Sequence, residues 1–167
     1  LPHIDYDLVA RNPKVFTGYS DITALGLAFL RKAGLATFNG PMAVSTFAKQ
    51  PPSMFSTEGF LRTVTIARPA GSVWMGHAEE ESGARAWRVV TPGSAAGRLV
   101  GGNLSLVSAL AGTPYGMKGR GNIVFLEEIE EKPYRMDRML TQLLLAGELQ
   151  DAAGIVIGRN VPDPAFE

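Results

Sequence analysis

Residues 122–129, 133–147 and 154–158 read in succession as a strand, a helix and a second buried strand. The helix has a proline at its first position, Met136, Met139, Leu140, Leu143 and Leu144 at helical spacing, and Gly147 to close it. A chain that alternates the two periodicities belongs to the α/β class. The first half alternates in the same way. Residues 5–11 predict a short helix ended by Asn12-Pro13, because the residue before a proline is pushed out of the α region. Residues 15–19 predict a buried strand. From Asp21 onward Ile22, Leu25 and Phe29 mark a helix, with Arg31 and Lys32 in its last turn and Gly34 as its cap. A strand at 35–38 follows, closed by Asn39-Gly40-Pro41.

Beyond this point the signals shorten. The QPPS segment breaks regular structure, and a short helix is expected near 58–63 with a strand at 64–68. A polar, glycine-containing stretch at 69–86 reads as a linker or hairpin, with a domain boundary inside it. This leaves residues 1–68 and 87–167 as two parts. The second part opens with strands at 87–90 and 98–100, and the GGN at 101–103 is expected to open a helix through Leu104, Val107 and Ala111 to Gly112.

With 167 residues and 46% hydrophobic content, the chain is long enough to bury a core of one domain or two small ones. Lys plus Arg and Asp plus Glu are 16 each, so no long-range field draws in nucleic acid or an anionic membrane. A small molecule or peptide is the expected partner. No apolar run approaches the roughly 20 residues that span a bilayer. The absence of cysteine excludes disulfides and thiolate metal sites, and His3 and His77 alone make a multi-histidine centre implausible. The opening LPHIDYDL and closing RNVPDPAFE read like the inside of a longer protein.

Three places carry candidate chemistry. Ser20 stands on a tight strand-to-helix turn, where its hydroxyl projects past the sheet and the helix N-terminus offers free N–H groups to an oxyanion. That is the geometry of a nucleophile elbow. The commoner task of Ser20 or Asp21 at such a point is to cap the helix. In GGNLSL, the glycines permit close backbone approach and Asn103 either presents its amide to a ligand or caps a helix. The lysine of a phosphate loop and the spacing of a dinucleotide fingerprint are both missing. In IVFLEEIEE, period-two alternation puts Glu127 on the face of Ile123 and Phe125, and Glu128 on that of Val124 and Leu126. One acid therefore lies at the C-terminal end of a buried strand, where open α/β sheets bind ligands. A buried acid needs a partner, and orienting a histidine is one such role. His3 and His77 themselves read as solvated residues.

Taken together, NPKVFTGYSDITAL, RLVGGNLSLVSALAGTPY, IVFLEEIEEKPYRMDRMLTQLLLAG and AAGIVIG resemble, in that order and spacing, the LD-carboxypeptidases and the related microcin C immunity peptidases. The resemblance covers nearly all of this chain but only the middle of a family member. It implies a Rossmann-like N-terminal portion and a smaller swivelling-type C-terminal α/β domain, both incomplete. It further implies a Ser-Glu-His triad with Ser20 as nucleophile, Glu127 as the acid, the Asp21 N–H in the oxyanion hole, and Gly102 and Asn103 along the substrate cleft. At Glu128 the family often has aspartate. The family's histidine lies downstream of the last strand and its glycine-rich oxyanion segment lies upstream, so the 167 residues alone are expected to be inactive. No metal or organic cofactor is implied. The implied substrate is a murein tetrapeptide, cleaved before its terminal D-alanine in the bacterial cytoplasm by an enzyme that is commonly a homodimer. Two alternatives stand beside this: a peptidase acting on peptidyl or aminoacyl nucleotides, and a module that binds cell-wall peptides without cleaving them.

Overall fold

The computed structural model describes residues 1–48, 53–69, 71, 88–158 and 160. Its contacts divide the chain into two compact units, Leu1–Asn39 with Ala95–Glu167, and Gly40–Ser94.

In the first unit, α1 (Tyr6–Arg11) begins where the Asp5 side chain accepts a hydrogen bond from the Leu8 N–H at 2.8 Å. It ends at Asn12, whose side-chain amide reaches back to the Leu8 carbonyl at 3.0 Å. Two short strands, β1 (Thr17–Gly18) and β2 (Phe38–Asn39), pair in parallel, with Thr17 opposite Phe38 and Gly18 opposite Asn39. Parallel pairing requires a crossover, and α2 (Ile22–Ala33) supplies it. Gly34 closes α2 with φ 67°, a left-handed conformation that glycine adopts at little cost.

The same unit holds a second parallel sheet, in the order β3 (Leu99–Asn103), β4 (Ile123–Glu127), β5 (Gly154–Ile157). Its crossovers contain α4 (Leu104–Leu110) and α5 (Pro133–Leu145), the latter with proline in its first turn as expected. Leu27 of α2, Val100 of β3, Leu104 and Val107 of α4, Val124 and Leu126 of β4 and Leu143 of α5 form one buried cluster with Met117. A helix of the N-terminal segment thus completes the core of the C-terminal sheet. The hydrophobic contribution is of the usual size, about 1.5–3 kcal/mol for each large apolar side chain fully removed from water.

The second unit contains a π-helical turn (Ala43–Phe47) and α3 (Met54–Thr65), with Phe47 and Phe60 rings 5.6 Å apart. Ser53 caps α3 by accepting a hydrogen bond from the Ser56 N–H at 3.3 Å.

Several expectations need correction. The strand at 64–68 is absent: Val64 and Thr65 finish α3, which runs well past the helix expected at 58–63. A β-branched run disfavours a helix only weakly, and the helix already begun from Ser53 overrides it. Residues 88–90 form no strand, and Val89 and Val90 are exposed. The GGN opens α4 as expected, with Asn103 as its N-cap, but it also ends β3, which runs on to Asn103 instead of stopping at residue 100. The strands expected at 15–19 and 35–38 shrink to two residues each, and Val15 is exposed. The linker or hairpin expected at 69–86, Trp87 and most of QPPS lie outside the described residues, apart from Pro69, Gly71 and Ser53.

Immediately after Gly147, Glu148 is only 4% exposed, and its Oε2 has no hydrogen-bond partner among the described residues. Burial pushes its carboxyl above the ordinary range, although Lys118 and Arg31 pull it back. An acid raised by folding lends stability below its unfolded value of 4.5 and loses it as the pH climbs through the folded value. Glu148→Gln should therefore raise the melting temperature by a few degrees near neutral pH. The two proteins should melt together in acid, and parallel thermal melts at both pH values check this.

Candidate active site

Ser20 stands between β1 and α2 with φ 59°, a backbone region that costs a residue with a side chain on the order of 1–3 kcal/mol. The surrounding turn holds it there. Its carbonyl accepts the Thr23 N–H at 2.9 Å, and the Tyr19 carbonyl accepts the Ile22 N–H at 3.3 Å. Two residues earlier, a Cβ on Gly18 would lie 2.6 Å from Ile22 Cγ2, so only glycine lets the strand turn this closely into the helix. Ser20 is solvent-exposed. Asp21 occupies the N-cap position, yet its side chain makes no capping hydrogen bond. Its backbone N–H donates to no described residue. A hydroxyl with an unused N–H beside it, above the positive end of α2, is the arrangement an oxyanion needs.

The C-terminal end of β3 meets this turn from the side. Gly101 and Gly102 have φ 131° and 140°, and a Cβ on Gly102 would fall 2.7 Å from the Thr23 side chain. The Asn103 N–H donates to Thr23 Oγ1 at 3.1 Å. Thr23 is therefore the link between the elbow helix and the second sheet. Asn103, 5% exposed, caps α4 by accepting the Leu106 N–H through Oδ1 at 3.3 Å, and donates from Nδ2 to Glu128 Oε1 at 2.9 Å.

Glu127 ends β4 directly opposite Asn103 in the parallel register and is half-buried. Burial pushes its carboxyl above the ordinary range; the Asn103 amide pulls it down and the neighbouring Glu128 charge pushes it up. Glu128 behaves otherwise. Burial alone would raise it, but donors from Ser105, Asn103 and Ile129 outweigh that and hold it below the ordinary range. Its Oε2 accepts the Ser105 hydroxyl at 2.6 Å and the Ser105 N–H at 3.0 Å, and Oε1 accepts the Ile129 N–H at 3.1 Å as well as Asn103.

Of the residues marked in the sequence, Gly102, Asn103 and Glu127 come together at the ends of β3 and β4. Thr23, whose N–H donates to the Ser20 carbonyl and whose Oγ1 accepts the Asn103 N–H, links the elbow to them, although no hydrogen bond joins the Ser20 hydroxyl to Glu127 among the described residues. His3 is exposed near the start of the chain, and His77 lies outside the described residues. The sequence pattern did not mark Glu128 as the buried, fully bonded acid. The signal was present, since alternation sets it on the face of Val124 and Leu126, both 0% exposed.

Residues 1–40 match the LD-carboxypeptidase N-terminal domain and residues 96–166 the LD-carboxypeptidase C-terminal domain. The chain belongs to the LD-carboxypeptidase family. The probable murein peptide carboxypeptidase of Bacillus subtilis is 39% identical over 154 residues, 92% of this chain and 46% of that protein. Among solved structures, the muramoyltetrapeptide carboxypeptidase from Oxalobacter formigenes superposes with a TM-score of 0.76 at 31% identity, covering 96% of this chain and 50% of its own. The microcin C7 self-immunity protein MccF in complex with aspartyl sulfamoyl adenosine gives 0.76 at 26% identity, covering 98% and 55%. The chain thus spans about half the length of the relatives it matches. The α/β fold is that of these carboxypeptidases. No helix among the described residues is long and apolar enough to cross a membrane.

Proposed function

We propose that this chain carries the nucleophile and the acid of a serine carboxypeptidase that cleaves the L,D-amide before the terminal D-alanine of a murein tetrapeptide. The reading rests above all on the exposed, left-handed Ser20 with, beside it, an Asp21 N–H that donates to no described residue. In this reading the Ser20 Oγ attacks the carbonyl that joins the L-configured centre of a diamino acid to D-alanine. The hydroxyl proton passes to an imidazole oriented by Glu127, on the histidine that the family resemblance places downstream of β5. The new C–O bond turns the carbonyl oxygen into an oxyanion, which the Asp21 N–H and the positive end of α2 stabilise. The C–N bond then breaks, D-alanine leaves with the proton from the imidazolium, and water releases the acyl group from Ser20 by the same route. Gly102 and Asn103 line the cleft beside the scissile bond. The reaction belongs to cell-wall recycling in the cytoplasm, carried out by a homodimer.

One observation favours a second substrate class: the microcin C7 self-immunity protein, similar in fold at 26% identity, is bound to an aminoacyl nucleotide analogue. The protein at its natural length, incubated with a murein tetrapeptide and separately with an aminoacyl nucleotide, tells the two apart. Release of D-alanine from the tetrapeptide is the expected result. Cleavage of the nucleotide conjugate alone would transfer the assignment to the immunity-type reaction.

A further inference from the structure

A carboxylate that is 8% exposed and receives four hydrogen bonds has been given a rigid position, and what it holds in place is the turn between β3 and α4. Two of those donors belong to Ser105, the second residue of α4, and one is the Nδ2 of Asn103, the residue that caps α4. The Asn103 carboxamide is thereby fixed at both ends, Nδ2 on Glu128 and Oδ1 on the Leu106 N–H. The backbone of the same asparagine is tied to Thr23, three residues past Ser20, and the residue stands opposite Glu127 in the sheet. Ser105 Oγ, after donating to Glu128, also lies 3.5 Å from the Met139 sulfur of α5, which closes the cluster on its far side.

We propose that Glu128 is a positioning residue of the Ser20–Glu127 site: by holding the Asn103 carboxamide and Ser105, it fixes the end of β3 that is tied to the elbow helix through Thr23 and stands beside Glu127. This rests on the serine-peptidase reading above. The chemistry demands a carboxylate rather than an amide. All four groups around Glu128 are donors, and a glutamine would offer one oxygen while turning its NH2 toward two N–H or O–H groups. A buried arrangement with a donor facing a donor relaxes by moving one of the partners, and the partners here are the turn itself. Displacements well under a van der Waals radius in the groups that support a nucleophile and its acid are enough to slow a reaction.

Glu128→Gln in the natural-length protein tests this in two independent ways. The first needs no substrate. In the 15N-labelled protein, the Asn103 carboxamide resonances should move and broaden in Glu128→Gln but return toward their native positions in Glu128→Asp, which keeps the charge and both acceptor oxygens. The second is kinetic. D-alanine release should lose about tenfold or more in kcat with KM within about threefold, and Glu128→Asp should recover part of the loss. A merely structural role would lower the yield of folded protein without splitting kcat from KM. If Glu128→Gln does not fold, Ser105→Ala removes one donor and leaves the charge; a kcat loss of about threefold at constant KM is then expected. Unmoved Asn103 resonances in Glu128→Gln, or in Ser105→Ala where that variant stands in, together with unchanged kcat, would overturn the proposal. If the unmutated protein released no D-alanine, the peptidase reading would fall instead, and the resonances would decide the tether by themselves.

Discussion

Ser20→Ala is expected to lower D-alanine release from a murein tetrapeptide by at least about a thousandfold in the natural-length protein, which is the scale on which serine hydrolases lose activity without their nucleophile. The variant keeps the Cβ and therefore the same left-handed backbone at φ 59°, so the turn gains no new strain. The Thr23 and Ile22 hydrogen bonds that shape it come from the backbone and are retained. Melting temperature should accordingly stay close to that of the parent, and tetrapeptide binding measured by calorimetry should change little. Turnover that survives the substitution would place the nucleophile elsewhere and leave Ser20 as an unusual helix entry. The decisive comparison is single-turnover release at saturating tetrapeptide, where weak binding cannot be mistaken for lost chemistry.

The second large effect concerns folding. Gly101→Ala should destabilise the protein by about 3–5 kcal/mol, because the added Cβ collides with the carbonyl oxygen of Phe125 on the paired strand. Only backbone movement relieves such a clash, and the φ of 131° is itself closed to alanine. The loss is comparable to a third or more of a typical domain's total stability. Gly112→Ala provides the control: its φ of 79° is also positive, but nothing lies within 4 Å of the new Cβ. That variant should lose only about 1–2 kcal/mol. Urea midpoints of the two, compared with the parent, separate the collision from the backbone conformation. Equal losses would show that the close approach of β3 to β4 has been misplaced.

These two positions also show how far the sequence could be read. The elbow was legible because it is local: a short apolar run, a glycine two residues before a serine, and a helix pattern ending in Gly34 all fall within twenty residues. The segment from β4 to β5 was legible for the same reason, since alternation in IVFLE and the proline and glycine around α5 declare themselves without partners. The GGN was legible as the entry to α4, which Asn103 caps, but not as the end of β3: the glycines' φ values and tight contacts with Phe125 and Thr23 belong to a strand that was expected to stop at residue 100. Val64 and Thr65 misled, as β-branched residues carried along by a helix already capped at Ser53. Glu127 and Glu128 sit side by side in the sequence, and alternation assigned their faces correctly. What decided their different characters was Ser105, 23 residues away from Glu128, and no local pattern announces that pairing.

The bond between Thr23 and Asn103 joins residues 80 positions apart, with the second unit lying between them in sequence. During synthesis the serine emerges from the ribosome with its supporting strand still to be made, at a rate of roughly 5–20 residues per second. The nascent N-terminal segment must therefore wait several seconds with Leu27 and its neighbours uncovered. Slower translation of residues 40–94 would lengthen that interval.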